Sequence, residues 1–431
     1  MNSAISNPYP RASIWATPGF TATLIAVASA FGAWSLLLPV VPLAVLEGGG
    51  SAMLAGASTG AFILATVITQ IGTPAMLRRV GYNPVMVASA FMLGVPALGH
   101  LLGTEAWVVL LFSALRGIGF GAITVAESAL IAELVPRTYL GKATGLLGVA
   151  VGLAQMVFLA MGLFIADSFG YPAVYVAAAV VGLLGAVMCL RIPRIKAARV
   201  LPPSEITGRR VAAWKLVLVP ALAVTTLAMS YGAVSSFLPA AVRGMDSAAS
   251  SAIAGVVLSV AGGASMVFRY ISGVVADRRG EAGVLMIPAQ VVGAVGMALM
   301  AAIVALNWSV WLLVASAVLF GGSFGIVQNE ALLSMFARLP REKVSEASAV
   351  WNIFYDAGTG LGSVIYAMVV ARFAFAGAFA LGACVIIAGI GMTVADRVLG
   401  RHRVSEYDNL RIRWQQVSPL ARRARKHHGR M

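Results

Sequence analysis

The sequence predicts an all-α membrane protein: twelve transmembrane helices in two pseudo-symmetric six-helix bundles, with the N- and C-termini cytoplasmic. Three observations carry this. The 431 residues are 60% hydrophobic and only 11% charged, with mean hydropathy +0.90, whereas a soluble domain carries about 25% charged residues. Twelve apolar runs are long enough to cross a hydrocarbon core of about 30 Å at 1.5 Å per residue. Short stretches of the first half also recur, in order, in the second.

The runs cover 20–46, 52–72, 84–104, 106–134, 142–166 and 170–192, then 214–243, 248–276, 283–306, 308–337, 343–372 and 376–398. Residues 20–33 resemble the apolar core of a leader, but the run continues through LLLPVVPLAVL, too long for a cleaved leader, and reads as the first span. Pro39 and Pro239, at equivalent depth, are expected to kink the first and seventh spans near the outer gate. The polar segment RIPRIKAARVLPPSEITGRR, 191–210, marks the midpoint. The expected organisation is an N-terminal half over 1–192, a cytoplasmic linker over 193–213, a C-terminal half over 214–398 and a basic cytoplasmic tail over 399–431.

The halves are read as a tandem duplication. Gly32, Ala33, Ser35, Leu38 and Pro39 recur as Gly232, Ala233, Ser235, Leu238 and Pro239, 200 positions on. Phe120, Gly121, Pro136 and Ala143 recur as Phe324, Gly325, Pro340 and Ala347, at an offset of 204. QIGTPAMLRRVG, 70–81, aligns with RYISGVVADRRG, 269–280, at an offset of 199. Three collinear matches in corresponding spans are not a chance echo.

The net charge of +15 is an orientation signal, not a nucleic-acid footprint. Lys and Arg fall in alternate loops: Arg78 and Arg79, Arg137 and Lys142, the linker, Arg278 and Arg279, and Arg338, Arg341 and Lys343. The opposite loops carry Glu47, Glu105, Asp167 and Asp246, with Arg243 and Arg372 near their edges. The positive-inside rule then places the basic loops and both termini in the cytoplasm. Cys189 and Cys384, both in apolar runs, support neither a disulfide framework nor a metal site. RGIGFG, 116–121, lacks the preceding strand of a dinucleotide site, and LGKATG, 140–145, lacks phosphate-loop spacing. No cofactor is expected.

GVVADRRG, 273–280, resembles the cytoplasmic loop motif of the major facilitator superfamily, Gly-x-x-x-Asp-Arg-x-Gly, with Gly273, Asp277, Arg278 and Gly280 in its positions. RGIGFGA, 116–122, is similar to that superfamily's fourth-span motif. The resemblance covers 17–398 and implies two parallel bundles that rock about a central site, lined by spans 1, 4, 7 and 10. Two departures stand out. Arg78 occupies the first-half position of Asp277, and GLLGVAVGLAQ, 145–155, lacks the Gly-Pro pair of the superfamily's drug:proton antiporters, which weighs against export by antiport.

Ionisable groups in hydrocarbon cost about 2.5–3.5 kcal/mol each on insertion scales and are functional suspects. Arg116, Glu127, Arg269, Glu330 and Asp356 qualify. No histidine lies well inside a span, so a carried proton falls to Glu127, Glu330 or Asp356. The resemblance puts Arg116, Glu127 and Glu330 in the cavity; Trp34, Tyr231, Asn329, Asn352 and Tyr355 are further candidates for cargo contact, against plain packing. Arg269 and Glu330 are expected to form a fixed or gating ion pair, as buried charges need partners. Glu133 is read as the partner of Arg78 or Arg79 in a clamp on the cytoplasmic side. Gly117, Gly119, Gly121, Gly358, Gly360 and Gly362 are read as close-packing positions.

These readings converge on secondary-active transport of a small organic molecule, an amphiphile or metabolite, by alternating access in the cell (plasma or inner) membrane. Proton-coupled export is the leading reading, with proton-coupled or facilitated uptake and lipid flipping as the alternatives; no catalytic constellation supports an enzyme. The expected partners are the cargo, protons and membrane lipids, with anionic headgroups at the basic tail, and the expected state is a monomer.

Overall fold

The computed structural model describes residues 14–197, 213–245 and 251–399. Most of the linker and nearly all of the basic tail, with the lipid contacts expected there, lie outside the described residues. Among the described residues twelve α-helices run in chain order: α1 Phe20–Leu37, α2 Val40–Glu47, α3 Ala52–Arg79, α4 Tyr82–Gly94, α5 Ala106–Leu134, α6 Leu140–Phe169, α7 Tyr171–Cys189, α8 Ala213–Met245, α9 Ser251–Arg279, α10 Met286–Ala305, α11 Leu312–Arg338 and α12 Val344–Leu399. They are not one per span. The first span is α1 plus α2, broken at Leu38 and Pro39, where the proline ring removes a backbone donor. At the other end, α12 holds two spans in 56 residues, turned at Ala374 with φ 54°. Twelve spans result, close to the expected boundaries. At the matching Pro239 the chain does not break: α8 runs through that position as one helix, packed along α12.

Local chemistry sets the ends. Ser51 caps α3 by accepting from Leu54 N at 3.1 Å. Asn83 Nδ2 donates to the carbonyls of Cys189 and Ile192 at 2.7 and 3.0 Å, tying the end of α7 to the start of α4. Gly280, at φ +64°, stops α9 in the left-handed conformation that glycine adopts without strain.

The duplication is visible in the packing. A Cβ on Gly117 or Gly121 of α5 would lie 2.2 or 2.4 Å from the carbonyl oxygens of Phe62 and Thr66 on α3. The corresponding Gly321 and Gly325 of α11 would meet those of Ala261 and Ser265 on α9 at 2.1 and 2.0 Å. The same crossing has been built twice, at positions where only glycine lets the backbones touch. Within the first six spans, α1 packs on α6 and α7, and α5 on α3 and α4; within the last six, α12 packs on α8 and α10, and α11 on α9 and α10.

Across the midpoint, α6 packs on α9, while α3 and α5 pack on α12. These contacts gather at the end that carries Arg78, Arg137 and Arg278, here called the basic-loop end. Glycine crossings of α6 and α9 run from Gly141 against Gly273 to Gly152 against Met266; further out, Gly255, Gly262 and Gly263 face open space.

Candidate functional site

At the basic-loop end two junctions tie the halves together. The carboxylate of Asp277 accepts from Gly141 N and Lys142 N, each at 2.7 Å, so the end of α9 caps the first turn of α6. In the first half, Arg78 Nη1 donates to Glu346 Oε1 at 3.1 Å, joining the end of α3 to the first turn of α12. Gly273 is buried against Gly141 with no room for a side chain, and Gly280 ends the loop motif. Arg79 and Arg278 are exposed, while Glu133 is half-buried near Tyr82.

Deeper in, a polar seam runs between the halves. Gln70 Nε2 on α3 donates to Asp356 Oδ2 on α12 at 2.6 Å and lies 3.4 Å from Thr124 Oγ1 on α5. Asn352 Nδ2 donates to the carbonyl of Thr124 at 3.2 Å, and Ser348 shares a hydrogen bond with Ser128. On the other side, Thr144 Oγ1 of α6 donates to Asn329 Oδ1 of α11 at 2.8 Å. Asn329 and Asn352, candidates for cargo contact, thus hydrogen-bond across the two halves.

Arg269 and Glu330 do not pair, contrary to expectation. Arg269 Nη1 donates to Gln328 Oε1 at 3.0 Å, and its guanidinium lies 5.7 Å from the Trp351 ring centre. Residues 328 and 330 are about 200° apart around α11, so a side chain that reaches one cannot reach the other. Glu330, 0% exposed, accepts from Ser272 Oγ at 3.1 Å and lies against the backbone of Gly283, Val284 and Leu285. It anchors the turn into α10. The acid that faces Arg269 electrostatically is Glu127 of the opposite half, 5% exposed, whose Oε2 has no hydrogen-bond partner.

From Arg269 a column of rings crosses the C-terminal half. Trp351 stacks on Tyr355 at 5.2 Å, Tyr355 on Phe324 at 5.9 Å, and Phe324 on Tyr231 at 4.9 Å. The N-terminal half repeats the last contact as Phe31 against Phe120 at 5.1 Å, then adds Trp34 stacked on Phe120 at 5.0 Å. Beside Trp34 lies a small open cavity of about 30 Å³, between α1, α2, α3 and α5, with Arg116 in its wall. Arg116, 3% exposed, donates through Nη2 to the carbonyl of Ala33 at 3.3 Å and lies over the Phe62 ring at 5.8 Å. Arg116 and Glu127 occupy different depths of α5, as the sequence spacing requires.

This architecture, two glycine-crossed bundles tied at one end over buried charges, can be set against known proteins. The model of the Major Facilitator Superfamily matches residues 23–363. The chain belongs to that superfamily. It is 28% identical over 148 residues to an uncharacterised transporter of the superfamily from Mycobacterium tuberculosis, covering 34% of this chain and 21% of that protein. It is 26% identical over 152 residues to the inner membrane transport protein YajR of Escherichia coli, covering 35% of this chain and 33% of that one. The chain thus spans about a fifth to a third of the length of the curated relatives it matches. Among solved structures, the superfamily's proton:xylose symporter XylE, bound to 6-bromo-6-deoxy-D-glucose, superposes with a TM-score of 0.67 at 15% identity, over 88% of this chain and 95% of that one. The human organic anion transporter MFSD10 superposes with 0.65 at 14% identity, over 87% and 98%. At such identities the likeness is one of fold.

Within the superfamily frame, the ionisable groups singled out from sequence fall into three places. Asp277, Arg78 and Asp356 lie in the inter-half contacts, with Glu127 and Arg269 within electrostatic reach of each other; Glu330 holds the turn into α10; Arg116 lines the cavity beside Trp34. Sequence reasoning missed Gln70, Thr124, Ser128, Ser348 and Glu346. One signal was available: Gln70 and Thr124 correspond to Arg269 and Gln328 under the two offsets, and both pairs are in contact.

Proposed function

We propose that the protein is a secondary-active transporter of a small organic amphiphile, working by alternating access in a cell membrane and seen here closed at its basic-loop end. With that end in the cytoplasm, as the loop charges suggest, the state is outward-facing. The observation that carries the reading is the clustering of the inter-half hydrogen bonds at the basic-loop end. Rocking about such a joint exchanges which end is closed.

Glu127 and Asp356 are the proposed proton carriers. Each sits at the inter-half contact, where a change of protonation alters what holds the halves together, and Glu330 is assigned to anchoring its turn. Export of the amphiphile in exchange for inward protons is the direction put forward; superposition on a proton:xylose symporter is compatible with proton coupling in either sense. The proposal includes a monomer.

Purified protein in vesicles tests it. Asp356→Asn is expected to abolish pH-gradient-driven flux while sparing cargo binding, read as thermal stabilisation that grows as RT ln(1 + [L]/Kd). Undiminished driven flux in that variant removes Asp356 from the coupling. Cargo stabilisation that weakens at low pH means protons and cargo compete, as antiport requires; stabilisation that strengthens replaces export by uptake.

A further inference from the structure

We infer that the cavity beside Trp34 is a binding site for the anionic head of an amphiphile, a carboxylate or equivalent monoanion attached to an apolar body. This deepens the transport reading, on which it rests for its physiological meaning but not for its test. Arg116 is a buried cation that makes no ion pair among the described residues. The titratable groups that interact electrostatically with it are Tyr175 and His100, neither of them a carboxylate. Its Nε has no hydrogen-bond partner, and the same is true of the indole Nε1 of Trp34 across the cavity wall. Both are donors with no acceptor function. Thr59 and Ser113 bring hydroxyls to the same wall, and Leu38, Val41 and Ile63 supply hydrocarbon. Unsatisfied buried donors around an uncompensated cation are chemically complementary to an anion.

The duplication supplies an internal control. Under the three offsets that align the halves, Trp34 corresponds to Val234, Ser58 to Val257, Thr59 to Leu258, Ser113 to Ala317 and Arg116 to Phe320. Every polar group of the cavity wall is apolar in the other copy, where Phe320 packs on Phe324. The helix crossing itself is the same in both halves, down to the glycines. The fold therefore does not require these polar side chains, and the structural role open to a buried arginine is filled elsewhere by a ring. What differs between the copies is the polar wall and its donors.

The site is tested by thermal shift and equilibrium binding of the purified full chain in lipid nanodiscs, with no gradient. The probes are 1-naphthoate, its neutral amide 1-naphthamide, and inorganic phosphate. Naphthoate is expected to bind at least about tenfold more tightly than the amide, the scale of a charge-assisted hydrogen bond. Arg116→Gln should remove that preference, Arg116→Lys should keep part of it, and Thr59→Val should weaken naphthoate alone. Equal binding of acid and amide, or undiminished acid preference in Arg116→Gln, overturns the proposal. If Arg116→Gln does not fold, Trp34→Phe decides in the same way, by loss or retention of the acid preference. Phosphate binding as well as naphthoate overturns the amphiphile part. Repeating the titration in phosphatidylglycerol and phosphatidylcholine nanodiscs separates the sources: competition by the former assigns the anion to a lipid headgroup, indifference to a soluble organic acid. Charge-selective binding without pH-driven flux would sink the transport reading alone; flux without charge-selective binding would sink the site alone.

Discussion

The two junctions at the basic-loop end occupy corresponding positions and carry exchanged charges. Asp277 of α9 corresponds to Arg78 of α3, and Lys142 of α6 to Glu346 of α12. In the first junction the acid comes from the neighbouring helix and caps α6 through two backbone N–H groups. In the second the acid belongs to the first turn of α12 itself and is held by Arg78. Either way one carboxylate sits at the start of the helix, where the dipole favours negative charge. A single exchange would have set Arg78 against a lysine or Asp277 against a glutamate. What the duplicated halves have kept is attraction at the joint, not the residues that supply it.

The difference predicts unequal strength. The largest effect belongs to the glycine contact beneath the Asp277 junction: Gly273→Val would drive a Cβ to 1.9 Å from the Gly141 carbonyl oxygen, with no counterpart at Pro74. Overpacking of this kind costs about 1–3 kcal/mol or more, and the variant is expected to insert normally but lose transport in vesicles. Asp277→Ala comes next, since it uncaps α6 at about 1–2 kcal/mol and should raise the population open at the basic-loop end about tenfold. Arg78→Asp is the mildest. Its pair is partly solvated, with the two side chains 28% and 34% exposed, so the loss should stay at about 1 kcal/mol. The added Glu346→Lys should recover it by rebuilding the charge order of the other junction. No recovery would mean that the exchanged charges do not act as a pair.

The duplicated fold was legible in the sequence because hydrocarbon thickness fixes span length and because short motifs survive at constant offsets. The corner at Ala374 fell where a gap between two apolar runs predicted it, although the backbone stays helical on both sides. Pro39 and Pro239 occupy equivalent positions, yet only the first ends a helix, since α8 continues past the second. The ionisable residues were found by their cost in hydrocarbon, but their partners were not. Arg269 was matched to Glu330 by depth alone, and depth carries no information about which way a side chain faces around its helix. Gln70, Ser348 and Glu346 act through residues more than 200 positions away, so only the fold brings them to their sites.

The claim beneath all of this is that the basic-loop end opens as the other end closes. Pulsed electron spin resonance can measure both at once, with Cys189 and Cys384 replaced. One label pair sits at the exposed positions Arg137 and Glu281 of the basic-loop end, the other at the exposed Glu105 and Asn307 of the opposite end. On adding cargo or changing pH, the account predicts a second population in which the 137–281 distance lengthens and the 105–307 distance shortens together. Two distances that stay fixed, or that lengthen in step, would contradict alternating access about this joint.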